Sequence, residues 1–309
     1  MSAKKSLAII GTGAVGGYYG SLLQRAGFDV HFLLHSDYEH VRENGLQIDS
    51  VHGSFHLAQV HAYRDARDMP RCDTIVVALK TTANRILADI LPHLVKEDSI
   101  VITLQNGLGS EEEIAQIVGK NRVIGGLCFL CSNKIGPGHI RHLDYGLITL
   151  GEYREDHSPG GITPRLTQLA GDWESAGIPI RLIDDLPLGR WKKLVWNIPF
   201  NGLSVLHNTL TDKLISNPET RALCLALMHE VAGASAVCAR PIEPDFIDKM
   251  ITDTERMKPY APSMKLDYDR GKPMEIGSIY ENPLRAAQKA GFSMPETEKV
   301  YHQLRKLNP

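Results

Sequence analysis

The sequence predicts an α/β protein, with an N-terminal Rossmann-like doubly wound domain over residues 1–185 and an all-helical C-terminal domain over residues 186–309. Three observations lead to this fold class. Short apolar runs alternate with helical patterns in the first half, a glycine-rich turn follows the first apolar run, and strand-like runs stop after residue 187. At 309 residues, the chain is also long for a single hydrophobic core, which favours two domains.

The first predicted domain alternates strands and helices. Its apolar runs predict strands over 7–10, 29–34, 74–79, 99–104, 122–131, 147–153 and 178–183, and its periodic segments predict helices over 14–27, 81–95 and 164–177. Fully apolar runs such as "TIVVAL" (74–79) are typical of strands buried on both faces of a parallel sheet. The Gly/Pro-rich turn before residue 147 instead predicts an antiparallel hairpin.

The second predicted domain contains only helical patterns, over 188–206, 217–239, 243–256, 274–291 and 295–307. Pro199 lies inside the first of these segments. Because proline removes one backbone donor, we expect it to kink or interrupt that helix.

Composition restricts the partners. A formal net charge of −2 argues against nucleic-acid and membrane-surface binding, since both need a basic field. Without a signal peptide in "MSAKKSLAIIG", we expect a cytoplasmic protein, monomeric or homodimeric, that acts on a small molecule. The five scattered cysteines predict free thiols and no metal site, although Cys128 and Cys131 form a C-x-x-C pair. His139 and His142 are expected on a surface hairpin.

A glycine-rich turn directly follows the first strand and opens the first helix. Gly11, Gly13 and Gly16 form a G-x-G-x-x-G pattern, in which the first glycine allows the tight turn and the second lets backbone approach a pyrophosphate. The third allows close packing of helix on strand. The predicted cofactor-binding residues of this turn are Gly11, Thr12, Gly13, Ala14, Val15 and Gly16.

The end of the second strand distinguishes NAD from NADP. An acidic residue there would hydrogen-bond the ribose 2′-OH, whereas a basic residue accommodates a 2′-phosphate. The chain has His35 directly after the strand, followed by Ser36 and Asp37. Ser36 or Asp37 is well placed to cap the next helix, which is the simpler explanation for both. His35 and Ser36 therefore favour a phosphate, and the expected cofactor is NADP(H).

Polar side chains interrupt the apolar segment "GRWKKLVWNIPFNGLSVL" (189–206). Lys193, Asn197 and Asn201 are spaced i, i+4, i+8 and share one helix face, with Ser204 near the same line and Lys192 off it. Buried polar groups need partners. Either a ligand with carbonyl, carboxylate and hydroxyl groups or a polar network between helices would supply them.

With both motifs in view, the chain resembles the ketopantoate reductase (2-dehydropantoate 2-reductase) family. The resemblance runs from residue 5 to about 305 and rests on "GTGAVGG" (11–17), "VALKT" (77–81), "QNGLG" (105–109), "WKKLVWNIPFNGLSVL" (191–206), "SMKLD" (263–267) and "MEIGSIY" (274–280). It implies an oxidoreductase in which NADPH reduces the keto group of 2-dehydropantoate to give pantoate, a step of pantothenate biosynthesis.

The resemblance also implies roles for residues of the second domain. The catalytic lysine of the family matches Lys193, which would donate a proton to the developing alkoxide. An ammonium in a partly dry pocket stabilises negative charge on oxygen, and desolvation lowers its pKa towards the working range. The substrate-binding residues match Asn197, Asn201 and Ser263, and a glutamate on the cofactor side matches Glu275.

Three positions of the first domain complete the set that the resemblance implies. Lys80 and Asn106 each follow a strand and match the cofactor-side lysine and asparagine, with Asn106 also facing the substrate. Cys131 matches a position whose backbone lines the cofactor. Simpler explanations remain open: Asn106 as an Asn-Gly turn residue, Lys80 as an exposed strand end, and Glu275 as a surface residue.

Two departures from the family pattern leave alternatives open. His35 replaces an arginine after the second strand, and Gly277 with "YENPL" (280–284) replaces the usual pattern beside the substrate. One alternative is therefore a paralogous reductase of another 2-oxo acid or an imine. A second is a non-catalytic NADP-binding sensor, which has no reason to keep Lys193, Asn197 and Asn201 on one helix face. A third, a helical interaction module, leaves the glycine turn unexplained.

Overall fold

The computed structural model describes residues 5–308. The chain divides into two compact units. The first unit extends to Gln105 and resumes over Ser110–Leu186, and the second consists of Asn106–Gly109 and the chain from Pro187 onward. The short loop 106–109 therefore packs with the second unit although both of its neighbours along the chain belong to the first.

The first unit is built on a single ten-stranded sheet. Its strands are β1 (Ser6–Ile10), β2 (Asp29–Leu33), β3 (Leu46–Ser50), β4 (Phe55–Leu57), β5 (His61–Tyr63), β6 (Cys72–Val77), β7 (Val95–Thr103), β8 (Val123–Gly136), β9 (His139–Glu152) and β10 (Ile180–Ile183). The order is β4-β3-β9-β8-β7-β6-β1-β2-β5, and β10 pairs with β9.

The central part of this sheet has the arrangement of a doubly wound fold. The strands β5-β2-β1-β6-β7-β8 are parallel neighbours, which is the 3-2-1-4-5-6 order of dinucleotide-binding domains. The connecting helices are α1 (Gly16–Arg25), α2 (Tyr38–Asn44), α3 (Leu87–Leu94), α4 (Ser110–Val118) and α5 (Pro164–Glu174). The predicted fold class of the first domain is confirmed.

The long hairpin forms as the turn composition predicts, because β8 and β9 pair antiparallel. All five cysteines are free thiols. The surface prediction for His142 is wrong, since its ring is buried and stacks on Tyr18 with centroids 4.4 Å apart. Burial lowers the pKa of His142, although hydrogen bonds to the carbonyl groups of Asp144 and Tyr145 oppose that effect.

Three short strands escape prediction from the sequence. β3, β4 and β5 contain three to five residues each, and polar side chains interrupt their apolar pattern. The parallel partners of β3 and β5, which are β9 and β2, lie elsewhere in the chain. The pairing of strands therefore stabilises segments whose local sequence carries little signal.

The second unit is helical, with no strand in residues 187–308. Its helices are α6 (Leu186–Leu206), α7 (Thr211–Ser216), α8 (Pro218–Val237), α9 (Phe246–Arg256), α10 (Ser263–Asp269), α11 (Asn282–Lys289) and α12 (Pro295–Leu307). The expected interruption at Pro199 is wrong, because α6 runs through it. Leu194, Ile198, Phe200 and Leu203 are buried around that point, and this packing outweighs one missing backbone bond.

The predicted helix 274–291 is instead two elements. A π-helical segment, Gly277–Glu281, precedes α11, and the backbone N–H of Asn282 donates to the carbonyl of Gly277. Pro283 follows at the start of α11 and has no N–H. This local geometry contributes to the candidate site.

Within residues 5–308, no helix is both long and apolar enough to cross a membrane. The same part of the chain contains no group of three or more His, Cys, Asp or Glu side chains that could hold a metal ion.

Candidate active site

The glycine turn after β1 has the geometry that its pattern predicts. Gly11 has φ +98°, and a Cβ atom there would lie 2.6 Å from the backbone nitrogen of Leu79, which follows β6. A Cβ on Gly16 would overlap the carbonyl oxygen of Gly11. Gly13 differs, because no heavy atom beyond its two chain neighbours lies within 4 Å of its Cβ position. The turn is therefore tight where it packs and open at Gly13.

Side chains around this turn hold its backbone in place. The hydroxyl of Thr12 donates to the carbonyl of Leu33 at the end of β2, at 3.1 Å. Ser132 on β8 donates to the carbonyl of Ala14, also at 3.1 Å. Sequence reasoning missed Ser132, whose neighbour Cys131 is buried on the same strand. Val15 is the N-cap of α1.

The open turn fits the pyrophosphate of a dinucleotide. The first turn of α1 contains no acidic side chain, so no carboxylate of this turn competes for the backbone N–H groups at its start. The space beside Gly13 gives an anion access to this end of the helix.

At the end of β2, His35 and Ser36 are exposed, whereas Asp37 is only 7% exposed. Asp37 precedes α2, but the prediction that it caps this helix is wrong because its carboxylate makes no capping bond. It accepts from the backbone N–H of Gly138 and pairs with Lys134. Burial alone would raise the pKa of Asp37, but these two partners hold it below its ordinary value.

A basic residue that sequence reasoning missed lies beside the end of β2. β5 pairs with β2 so that Tyr63 is opposite Leu33, and Arg64 is the next residue. The guanidinium carbon of Arg64 lies 5.8 Å from the centre of the Tyr38 ring, and that of Arg42 lies 5.6 Å from it. Both guanidinium groups are largely exposed and approach Glu39. Only the pairing of β2 with β5 reveals this position.

Lys80 and Asn106 follow neighbouring parallel strands, as expected. β6 ends at Val77 and β7 at Thr103, and these two residues pair in register. Lys80 is exposed. Gln105, which precedes Asn106, donates from its amide to the carbonyl of Leu79 at 2.9 Å. This bond fixes the chain directly before the loop 106–109.

In the second unit, Lys193 and Asn106 contact each other directly. The ammonium nitrogen of Lys193 donates to Oδ1 of Asn106 at 2.8 Å. Because an ammonium can only donate, the amide oxygen of Asn106 must face it, and the amide nitrogen remains as a donor on the other side. A turn role alone does not account for this contact.

Asn197 and Asn201 follow Lys193 on α6, and both are buried. Oδ1 of Asn201 accepts from the backbone N–H of Met264 at 3.0 Å and from the hydroxyl of Ser263 at 3.4 Å. A backbone N–H can only donate, so the amide nitrogen of Asn201 also faces away from these partners. Asn197 is only 6% exposed, yet its carboxamide makes no hydrogen bond within residues 5–308. Its carboxamide is therefore available to a ligand.

Two further residues test the sequence interpretation. Glu275 is 2% exposed, so the alternative that it is a surface residue is wrong. Lys192 pairs with Glu243 at 2.8 Å and lies 5.5 Å from the centre of the Phe246 ring. The pair with Lys192 lowers the pKa of Glu243. The two adjacent lysines therefore have different surroundings.

The first unit carries an open glycine turn on a doubly wound sheet, and the second carries a lysine beside three buried or half-buried carboxamides. These features define a two-domain, Rossmann-type oxidoreductase. Family profiles described as "Ketopantoate reductase PanE/ApbA" and its C-terminal counterpart match residues 7–155 and 185–308. The chain therefore belongs to the ketopantoate reductase family, and the predicted family is confirmed.

Individual relatives agree with the family. The 2-dehydropantoate 2-reductase of Nostoc sp. is 55% identical over 305 residues, covering 99% of this chain and 96% of that protein. The crystal structure of 2-dehydropantoate 2-reductase from Geobacter metallireducens superposes with a TM-score of 0.94 at 41% identity, covering 97% and 99% of the two chains. D-mandelate dehydrogenase with NADH and anilino(oxo)acetate shares the fold, at 20% identity and a TM-score of 0.88, over 98% and 97%.

Proposed function

We propose that this chain reduces 2-dehydropantoate to pantoate with NADPH. The observation that carries the proposal is the contact of the Lys193 ammonium with Asn106, on the helix that also carries Asn197 and Asn201. The 55% identical relative over nearly the whole chain bears the name of this activity. We assign residues 1–185 to dinucleotide binding and 186–309 to substrate binding and catalysis.

The orientation of the amides selects the substrate class. Asn106 and Asn201 each direct their oxygen to a donor in the protein, which leaves their nitrogens for acceptors. The hydroxyl of Ser263 donates to Asn201, and the ammonium of Lys193 and the carboxamide of Asn197 complete the set of donors. A 2-oxo acid matches it, because its carboxylate and keto oxygens are all acceptors.

Lys193 acts as the general acid. When bound, the nicotinamide supplies the hydride that adds to the keto carbon. The keto oxygen gains negative charge as this bond forms, and the Lys193 ammonium stabilises that charge and donates the proton that completes the hydroxyl. Asn106 fixes the direction of the flexible lysine side chain. We assign substrate binding to Asn106, Asn197, Asn201 and Ser263.

The cofactor assignment rests on the first unit. Its glycine turn, from Gly11 to Gly16, fits a dinucleotide pyrophosphate, and we assign His35, Lys80, Cys131 and Glu275 to the same cofactor with Asn106. We propose NADPH rather than NADH because Lys134 and Gly138 already engage Asp37, the acidic residue near the end of β2. Arg64 adds a positive charge beside the end of β2.

We further propose a cytoplasmic monomer or homodimer. The net charge of −2 supports a small-molecule substrate over nucleic acid or a membrane surface. Light scattering coupled to size exclusion, with and without NADPH, gives the oligomeric state.

The activity is tested by the oxidation of NADPH and of NADH with a panel of 2-oxo acids that includes 2-dehydropantoate. We expect the highest kcat/KM for 2-dehydropantoate with NADPH. A higher value for another 2-oxo acid would identify a paralogous reductase. If the protein binds NADPH but reduces none of the 2-oxo acids, the proposed reaction is contradicted and a non-catalytic NADP-binding sensor is favoured.

A further inference from the structure

We propose that Asn282 and the backbone carbonyl of Ser278 are positioning groups, which hold the loop 106–109 so that Asn106 orients Lys193. This inference rests on the proposed function for its kinetic consequence. Its structural part, the attachment of the loop to the π segment, can be tested separately.

Two hydrogen bonds hold the loop 106–109 at Leu108. The backbone N–H of Leu108 donates to the carbonyl of Ser278 at 2.9 Å. The side-chain amide of Asn282 donates to the carbonyl of Leu108 at 2.7 Å. Both backbone groups of one loop residue are thus fixed by a single short segment.

The local sequence explains why the Ser278 carbonyl accepts from a distant residue. In an α-helix it would accept from the N–H of Asn282, but that N–H donates to Gly277 instead. In a continued π-helix it would accept from residue 283, which is Pro283 and has no N–H. The carbonyl instead accepts from the backbone N–H of Leu108.

The glycines of the loop make this approach possible. Gly107 has φ +87°, and a Cβ there would overlap the Ser278 carbonyl. Gly109 has φ +100°, and its Cβ position lies 2.7 Å from the amide nitrogen of Asn282. Any side chain at either position would displace the loop from the π segment.

The consequence reaches Lys193 through Asn106, which precedes Leu108 by two residues. Lysine has a flexible four-carbon stem, so the position of its ammonium depends on the partner that fixes it. Oδ1 of Asn106 is such a partner, at 2.8 Å. When the loop is no longer held, Lys193 is still present as the general acid, but the position of its ammonium is less well fixed.

The kinetic test uses Asn282→Ala. We expect kcat to fall between about 10-fold and 100-fold, the size of a small misplacement of a reacting group, while the KM for NADPH changes little. Asn282→Gln keeps a primary amide and should recover part of the kcat. In the Asn106→Ala background, Asn282→Ala should have almost no further effect, because both changes act through the same contact.

Arg285→Ala is the matched control, since Arg285 is on α11 as well but pairs with Glu281 at an exposed position. It should leave kcat unchanged. Additive effects of Asn282→Ala and Asn106→Ala, or a loss of thermal stability with kcat unaltered, would reduce Asn282 to a structural residue and overturn the proposal.

The structural test is hydrogen exchange of the peptide containing residues 105–110. Asn282→Ala should increase exchange there and leave the peptides of α6 unchanged. Pro283→Ala offers a new N–H to the Ser278 carbonyl and should have the same effect with Asn282 intact. Unchanged exchange in both variants would refute the attachment. If the wild-type chain turns over no 2-oxo acid, the proposed function fails, and this exchange measurement alone decides the attachment.

Discussion

The glycine turn and the polar face of α6 represent two ways of building a binding site. The turn is formed within six residues, mainly from backbone and from the absence of side chains at Gly11 and Gly16. The α6 site consists of side chains whose partners lie far along the chain. Asn106 is 87 residues from Lys193, and Met264 is 63 residues from Asn201.

This difference separates cofactor binding from chemistry. Changes in the turn should alter cofactor affinity, because we propose that its backbone binds the pyrophosphate. Changes on α6 should alter turnover, because we propose that its side chains bind the substrate. Four variants test that separation, in order of decreasing expected effect.

The largest effect is expected for Lys193→Ala. Loss of the general acid should lower kcat by about 10²–10⁴-fold, while the Kd for NADPH, measured by fluorescence quenching, stays nearly unchanged. Lys192→Ala is the matched control because it removes only the pair with Glu243, and it should retain full kcat. A Lys193→Ala variant with the kcat of the wild type would contradict the proposal that Lys193 is the general acid.

The second effect concerns the turn. Gly13→Ala should raise the Kd for NADPH by about tenfold or more, since the new methyl occupies space needed by the pyrophosphate. Its thermal midpoint should match wild type, because no heavy atom lies within 4 Å of the added carbon. Gly16→Ala should instead destabilise the fold. Equal NADPH affinity in Gly13→Ala and wild type would place the pyrophosphate elsewhere.

The contrast also explains what could be predicted from the sequence. A motif enforced by local geometry, such as Gly11 to Gly16, is visible in the sequence because only glycine fits. The polar helix face of Lys193, Asn197 and Asn201 is visible in the sequence because helical periodicity is local. The direction in which each amide points was not predictable, because it depends on Met264 and on the ammonium of Lys193.

Residues fixed by tertiary pairing were missed or misread for the same reason. Asp37 has a capping position in the sequence, but its partner Gly138 lies 101 residues away. Arg64 comes beside the end of β2 only when β5 pairs with β2. Asn282 has no local signal for holding Leu108, although Pro283 marks the site where the helix cannot close its hydrogen bonds.

The third effect tests cofactor selectivity within the first unit. Arg64→Ala should lower the preference for NADPH over NADH by about fivefold to tenfold, the worth of one exposed charge-assisted contact to a phosphate. The ratio of the two Kd values measures it. Arg67→Ala is the matched control, since Arg67 is held by Asp65. An unchanged ratio of the two Kd values would show that Arg64 does not contact the 2′-phosphate of NADPH, and His35 would remain the candidate.

The smallest effect concerns Asp37, whose role we infer to be structural rather than cofactor-binding. Asp37→Asn should keep the bond from Gly138 but lose the charge pair with Lys134, and so lower the free energy of unfolding by about 1 kcal/mol at neutral pH. NADPH affinity should not change. Asp253→Asn, in the exposed pair with Lys249, is the control and should cost less than about 0.5 kcal/mol.

The pH dependence gives this last prediction a sign. The pKa of Asp37 is lower in the folded protein than its ordinary value, so the folded state binds fewer protons than the unfolded state near that value. The stabilisation is therefore complete above about pH 4 and is lost as the pH falls through the folded pKa. Urea unfolding of wild type and Asp37→Asn should differ at neutral pH and converge in acid. If the difference in the free energy of unfolding grows on acidification, the pairing with Lys134 is contradicted. If Asp37→Asn loses affinity for NADPH, Asp37 has a role in cofactor binding.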